Sequence, residues 1–249
     1  MTQRKNRYAF VIDVSRCIDC RACLVACSVE NNVPDEHTRI WVNDIGIQGS
    51  FPKLTRSFVP YNCMHCENPP CIEVCVSGAT YKDPLSGLVL IDQKACIGCG
   101  FCVDACPYKV RYLDEHRGVV DKCNACAQRL AINQAPACVA TCLGHSRMFG
   151  DLNDPNSEVV SALKNARSVQ TLDLEYRPSI DTEPHIFYIN GDVQYTSLLP
   201  QMPTYTLSEQ GWKNVLVPAV AAGVGLAFLG QAAMFTKQLL QGESEFEDE

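Results

Sequence analysis

Hydrophobic positions fall in short runs along most of the chain, and only one stretch is apolar without a break. Residues 8–14 read as a short strand, with Tyr8, Phe10, Val11 and Ile12 in close succession. Residues 39–61 alternate in part through Ile40, Val42, Ile45 and Ile47. Gly46, Gly49, Pro52 and Pro60 punctuate them, so strands and loops are expected there. Asp83-Pro84-Leu85-Ser86-Gly87 is a turn leading into a strand at 88–91, and residues 111–113 and 118–120 predict a hairpin. Asp154-Pro155-Asn156-Ser157 supplies a turn and cap for a helix over 157–166, with Val159, Val160, Leu163 and Ala166 on one face. Residues 186–189 read as a strand ending at Asn190-Gly191, and residues 200–208 as a linker.

The unbroken stretch is residues 215–235, which hold no charge and one strongly polar side chain, Gln231. As a helix it spans roughly 30 Å, the thickness of a bilayer core. Pro218 falls in its first turn, where a missing N–H is tolerated, and Trp212 stands at its entry as an interfacial anchor does. A buried core helix is the alternative, but soluble helices of this length rarely lack a charged face. Ala219, Gly223 and Ala227 form a small-residue stripe that permits close helix packing, although such residues are common in any membrane helix. Lys213 and Lys237 flank both ends, so charge leaves the orientation open.

Composition narrows the class. The net charge is −7, with five of the 28 acids in the last seven residues and no basic face for nucleic acid. An apolar content of 47% with 20% charged residues excludes a disordered or fibrous chain. The outlying number is sixteen cysteines. A secreted disulfide scaffold is disfavoured, because the chain is long and its cysteines sit at CxxC spacings. Residues 1–7 are short and basic and run straight into the first strand, so no export signal is expected.

The cysteines form four runs. Cys17, Cys20, Cys23 and Cys27 are spaced C-x2-C-x2-C-x3-C. Cys63, Cys66, Cys71 and Cys75 follow C-x2-C-x4-C-x3-C, with Asn68-Pro69-Pro70 lengthening the loop. Cys96, Cys99, Cys102 and Cys106 repeat the first spacing and end in Pro107. Cys123, Cys126, Cys138 and Cys142 are spaced C-x2-C-x11-C-x3-C. The first and third are the ferredoxin run for a [4Fe–4S] cluster, whose fourth cysteine ligates the other cluster of a pair. Zinc pairs two CxxC knuckles and has no use for a third cysteine so close. Sixteen cysteines at four ligands each make four cubanes, and no position is replaced as a [3Fe–4S] cluster would require.

Several clusters in one small domain predict a wire that passes electrons singly. No Walker A loop, dinucleotide fingerprint or radical-generating C-x3-C-x2-C triplet accompanies them. Of the histidines His37, His65, His116, His145 and His185, His65 lies inside the second run. It is either a donor to a cluster sulfur or a polar loop residue. Lys122 and Arg129 flank the fourth run and either offset cluster charge or sit at the surface.

The four runs, with Cys63-Met64-His65-Cys66-Glu67-Asn68-Pro69-Pro70-Cys71 as the second, resemble the iron–sulfur subunit of membrane-bound molybdopterin oxidoreductases. That group includes the electron-transfer subunits of dimethyl sulfoxide, polysulfide, thiosulfate, tetrathionate and arsenate reductases and of respiratory formate dehydrogenase. The resemblance covers residues 7–150 strongly and 151–195 loosely. It implies an α+β fold of two pseudo-symmetric ferredoxin-like halves holding four [4Fe–4S] clusters, to which the sequence adds one C-terminal transmembrane helix. It also implies nested ligation. Cys17, Cys20 and Cys23 would share a cluster with Cys142, and Cys123, Cys126 and Cys138 with Cys27. Likewise Cys63, Cys66 and Cys71 would pair with Cys106, and Cys96, Cys99 and Cys102 with Cys75.

The implied partners are a large molybdenum or tungsten pterin subunit and a polytopic quinone-binding membrane subunit. The expected layout is a four-cluster domain over 1–150, a cysteine-free extension over 151–208 that docks on partners, a transmembrane helix over 209–237 and an acidic tail over 238–249. The iron–sulfur domain is expected on the periplasmic face, exported with a signal-bearing partner, with the cytoplasm as the alternative. The chain itself is expected to be non-catalytic. The rival readings are a relay subunit of a hydrogenase or other complex without molybdenum, a free ferredoxin-like carrier, and a zinc scaffold.

Overall fold

The computed structural model describes residues 6–172, 181–191, 228, 230–234, 236 and 237. Contacts divide the chain into two units, Met1–Pro200 and Gln201–Glu249.

The first unit runs in order through β1 (Tyr8–Asp13), a single 3-10 turn, α1 (Ala22–Asn31), β2 (Trp41–Ser50), β3 (Lys53–Tyr61) and α2 (Pro70–Glu73). Next come β4 (Thr80–Lys82), β5 (Val89–Ile91), α3 (Phe101–Asp104), β6 (Arg111–Asp114), β7 (Val119–Lys122), α4 (Ala127–Leu130) and α5 (Ala137–Ala140). The last described elements are β8 (Arg147–Asp151), α6 (Glu158–Asn165), β9 (Val169–Gln170) and β10 (Ile186–Ile189).

Four of the antiparallel ladders follow a rule. Each joins the strand after one cysteine run to the strand before the next. β2–β3 connects run one to run two, β4–β5 connects two to three, and β6–β7 connects three to four. β8 then returns to β1, pairing Tyr8 with Asp151 and Ile12 with Arg147, and so closes the series. The first three ladders are hairpins, local in sequence. The fourth spans almost the whole cysteine region.

β10 adds to the free edge of β1 in parallel, with Phe10 opposite Ile186 and Asp13 opposite Ile189, and β9 pairs with β10. Residues 151–172 and 181–191, expected as a separate extension, therefore complete the sheet that carries run one. α6 packs Val159 against Val11, Met148 and Ile189. Ser157 stands at the N-cap of α6 with extended backbone but makes no side-chain cap bond. Its Oγ lies over Gly150 instead, 2.3 Å from where a Cβ would stand, so a side chain there would displace the hydroxyl.

The main core mixes Phe10, Ile12, Tyr61, Met64, Tyr108, Ile186 and Tyr188 with the cysteines themselves. A short strand with one buried face cannot supply a large apolar core, and here the thiols stand where aliphatic side chains ordinarily would.

In the second unit the described residues 228, 230–234, 236 and 237 are helical, and the Thr236 hydroxyl donates to the carbonyls of Ala232 and Ala233. Most of the span expected over 215–235 lies outside the described residues, as do Trp212, Lys213, Pro218 and the tail. Among the described residues no helix is long and apolar enough to cross a membrane.

Candidate metal centres

Each run folds by the same local rule. The residue before the second cysteine has a positive φ in all four: Asp19 (52°), His65 (46°), Gly98 (67°) and Ala125 (53°). Such turns gather successive backbone N–H groups into a concavity for anions, a feature of iron–sulfur sites. Only at Gly98 is glycine also required by space, because a Cβ there would stand 2.3 Å from the Gly118 carbonyl oxygen. The third cysteine is the second residue of a helix in every run: Cys23 in α1, Cys71 in α2, Cys102 in α3 and Cys138 in α5. Backbone N–H groups donate to the sulfurs, from Thr80 to Cys75 and Ser146 to Cys142 at 3.3 Å, and from Val120 to Cys96 and Ala125 to Cys123 at 3.4 Å.

The side chains gather across runs. Cys17, Cys20, Cys23 and Cys142 line one recess. Cys63, Cys66, Cys71 and Cys106 line another. Cys106 thus stands with run two and not among the cysteines of its own run. Burial pushes the Cys27 thiol up to about 12, and the neighbouring sulfurs of Cys138 and Cys126 add to the rise against the pull of Arg39. Burial likewise raises Cys102, which Arg111 opposes and Cys75 and Cys96 reinforce. So the last cysteine of each run keeps company with the paired run: one with four, two with three.

Exposure orders these foursomes. Cys63, Cys66, Cys71 and Cys106 are all buried, as are Cys123, Cys126, Cys138 and Cys27. The other two foursomes each contain one exposed thiol, Cys20 or Cys99. The Asn62 amide joins the buried foursomes, donating to the Cys63 carbonyl at 3.1 Å and to Cys123 Sγ at 3.7 Å. Neighbouring foursomes meet in series, Cys23 near Cys138, Cys123 near Cys63 and Cys71 packed with Cys102, which places the two buried foursomes between the two partly exposed ones.

The residues present fit iron–sulfur clusters. Among the described residues no three His, Cys, Asp or Glu converge as a site for one ion. The thiols instead ring recesses, which suits a cluster with several metal corners. Cations point the same way. Arg111 and Arg147 are 4% and 3% exposed. Among the described residues no oxygen or nitrogen accepts from Arg111 Nη2 or from the Nε and Nη1 of Arg147. Burial disfavours both charges, yet the surrounding sulfurs hold both pKa values above the ordinary arginine value: Cys71 and Cys102 for Arg111, Cys138 and Cys23 for Arg147. Lys122, directly across the β6–β7 ladder from Arg111, is buried as well. Like charges opposed on a ladder repel, and buried charges need counter-charges. Cluster-bound thiolates supply the negative charge.

The flanking residues sort as follows. Lys122 is a core residue, its Nζ donating to the carbonyls of Val89 and, at 2.8 Å, Cys123. Arg129 is paired with Glu30 at 3.0 Å, and its charge is already compensated. His65 is buried and accepts the Val89 N–H on Nδ1 at 3.2 Å. That bond assigns the ring proton to Nε2, which has no partner among the described residues. Burial, then Lys122, His185 and Arg111, hold its pKa well below the usual value, so the ring is neutral. Sequence reasoning missed Arg39, Arg111, Arg147, Asn62 and Asp121. Arg39 is a buried cation beside Cys27 and Cys123, bonded to Asp121 at 2.7 and 2.8 Å. Arg111 and Arg147 did carry a signal, since each lies five residues beyond the last cysteine of its run.

Comparison with known proteins agrees with this geometry. The 4Fe-4S dicluster domain family matches residues 54–152, which hold runs two, three and four. A tetrathionate reductase subunit of Salmonella typhimurium is 39% identical over 198 residues, covering 78% of this chain and 77% of that protein. The thiosulfate reductase electron transfer subunit PhsB of Salmonella typhi is 46% identical, covering 62% of this chain and 81% of that protein. Protein NrfC of Escherichia coli is 36% identical, covering 74% and 80%. The chain carries [4Fe–4S] clusters and belongs to the family of iron–sulfur electron-transfer subunits of molybdopterin oxidoreductases.

Proposed function

We propose that the chain relays single electrons through four [4Fe–4S] clusters, between a quinone-binding membrane subunit and a molybdopterin catalytic subunit. The observation that carries this reading is the row of thiol foursomes, buried in the middle and exposed at Cys20 and Cys99. A structural cluster needs no exposed edge, whereas a relay needs one at each terminus.

Bound [4Fe–4S] clusters take up and release electrons one at a time. Cys17, Cys20, Cys23 and Cys142 hold one terminal cluster, and Cys96, Cys99, Cys102 and Cys75 hold the other. Cys123, Cys126, Cys138 and Cys27, with Cys63, Cys66, Cys71 and Cys106, hold the two between them. The buried walls exclude water from the middle of the row. The N–H donors of Thr80, Val120, Ala125 and Ser146 stabilise the added negative charge at the sulfurs.

We infer further that residues 215–235 anchor the chain in the membrane and that the cluster domain lies on the periplasmic face. Protease treatment of intact spheroplasts tests this, with cleavage expected and full protection contrary to it. The names of two relatives, tetrathionate and thiosulfate reductase subunits, favour a catalytic partner that acts on sulfur oxyanions. The relay is tested in the purified complex. A quinol analogue should reduce the iron–sulfur absorbance, and tetrathionate or thiosulfate should restore it. Clusters that stay oxidised with quinol in a complex of full iron content would contradict the relay, whereas a nickel-containing, pterin-free partner would contradict the molybdopterin terminus.

A further inference from the structure

Arg111 and Arg147 occupy the same place in two copies of the repeat. Each is the fifth residue after the last cysteine of its run and the first residue of the strand that follows, β6 or β8. Each lines the recess of a thiol foursome, Arg147 that of Cys17, Cys20, Cys23 and Cys142, Arg111 that of Cys63, Cys66, Cys71 and Cys106. Each also reaches the adjoining foursome of its pair, Arg147 through Cys138 and Cys123, Arg111 through Cys102.

The two guanidinium groups are anchored on one side only. Arg147 donates through Nη2 to Oδ1 of Asn62, a residue with no solvent exposure, and its guanidinium lies 5.6 Å from the Phe10 ring centroid. Arg111 donates through Nη1 to the Thr80 hydroxyl at 3.3 Å. Thr80 is itself the fifth residue after the last cysteine of run two. Neither arginine has an ion-pair partner among the described carboxylates, whereas Arg39 has Asp121. Beyond those anchors each fork meets thiols: Cys138 takes a hydrogen bond from Arg147, and Cys102 one from Arg111.

We propose that Arg147 and Arg111 are the fixed counter-charges of the relay, one for each pair of neighbouring clusters, and that each sets the reduction potentials of its own pair. Reduction adds an electron, hence negative charge, beside a permanent cation in a water-poor site. Potentials rise with such charge and with hydrogen bonds to the sulfurs. The two are positioning residues, since they act on the clusters without ligating them. This rests on the four-cluster reading, and the two fail separately. Iron and sulfide analysis of the wild-type chain, at about sixteen of each, tests that reading alone.

The test of the arginines is an EPR-monitored redox titration of the purified complex, confined to preparations of full iron content. Arg147→Gln should make reduction of two clusters at least tenfold less favourable, a fall of about 59 mV for one electron, and leave the other two in place. Arg111→Gln should move the complementary two. Arg147→Lys, which keeps the charge but not the fork, should stay closer to wild type than Arg147→Gln. Unshifted potentials at full iron content, or all four clusters moving alike in either variant, would overturn the proposal. Loss of iron from both glutamine variants would overturn it as well, by making the arginines determinants of assembly.

Discussion

The pair of sites drawn from runs one and four and the pair drawn from runs two and three share their local geometry and differ in their charges. Both have the left-handed residue before the second cysteine, the helix at the third and an arginine five residues past the last. Around the first pair the second cation, Arg39, is matched by Asp121, which also accepts the Tyr112 hydroxyl at 2.8 Å and Arg117 at 3.2 Å. Around the second pair Arg111 faces Lys122, whose ammonium donates to carbonyls and not to a carboxylate among the described residues. The lesson is that repetition fixed the ligands, while each half acquired its own electrostatics from the ladders that connect the runs.

The largest effect expected is metal removal. Ten buried cysteines and three unmatched buried cations leave the apoprotein without a stable core. Iron chelation should abolish the cooperative melt seen by circular dichroism, because the binding free energy of such sites is folding free energy. An apoprotein that melted like the holoprotein would erase the distinction between the thiols and an ordinary core.

Next comes the crossing of ligands between runs. Cys106→Ser should lose about four irons, and its EPR spectrum should match that of Cys71→Ser rather than that of Cys102→Ser. A match to Cys102→Ser would place Cys106 on the cluster of its own run.

A smaller effect separates the two pairs. Burial works to raise the Asp121 pKa, but Arg39 and the hydrogen bonds around the carboxylate win and hold it below the ordinary value. Asp121→Asn leaves Arg39 unmatched, so urea unfolding should show a loss of about 3–5 kcal/mol. The potentials of the first pair should rise, opposite in sign to the arginine variants. A fall in those potentials would contradict the comparison.

The smallest effect lies at an exposed ion pair on the β2–β3 hairpin. Arg56 and the Gly46 N–H hold the Asp44 carboxyl down to about 2. A depressed carboxylate stabilises the fold above its unfolded value of about 3.9 and loses that contribution as pH falls towards 2. Because the pair is exposed, Arg56→Ala should leave the thermal midpoint at neutral pH indistinguishable from wild type.

Much of this was legible in the residues, and the rest was hidden for physical reasons. The runs, the strands at 8–13 and 186–189 and the helix at 158–165 follow from spacing and periodicity. The closing ladder β8–β1 does not, because it pairs residues far apart in sequence and Arg147 begins it with a charge. An arginine at a strand start reads as a surface residue until a counter-charge is placed beside it. Lys122 misled for the same reason. The two roles open to His65, a donor or a loop residue, cannot be told apart from spacing; its burial, with Nε2 unpartnered among the described residues, leaves it able to donate.

The most direct test is a reductive coulometric titration of the purified, iron-replete complex, with the contribution of other cofactors subtracted. Sixteen cysteines at four to a cluster predict four one-electron uptakes per chain, with sulfide equal to iron. Zinc in place of iron without sulfide, or fewer than four electrons at full iron content, would contradict the relay.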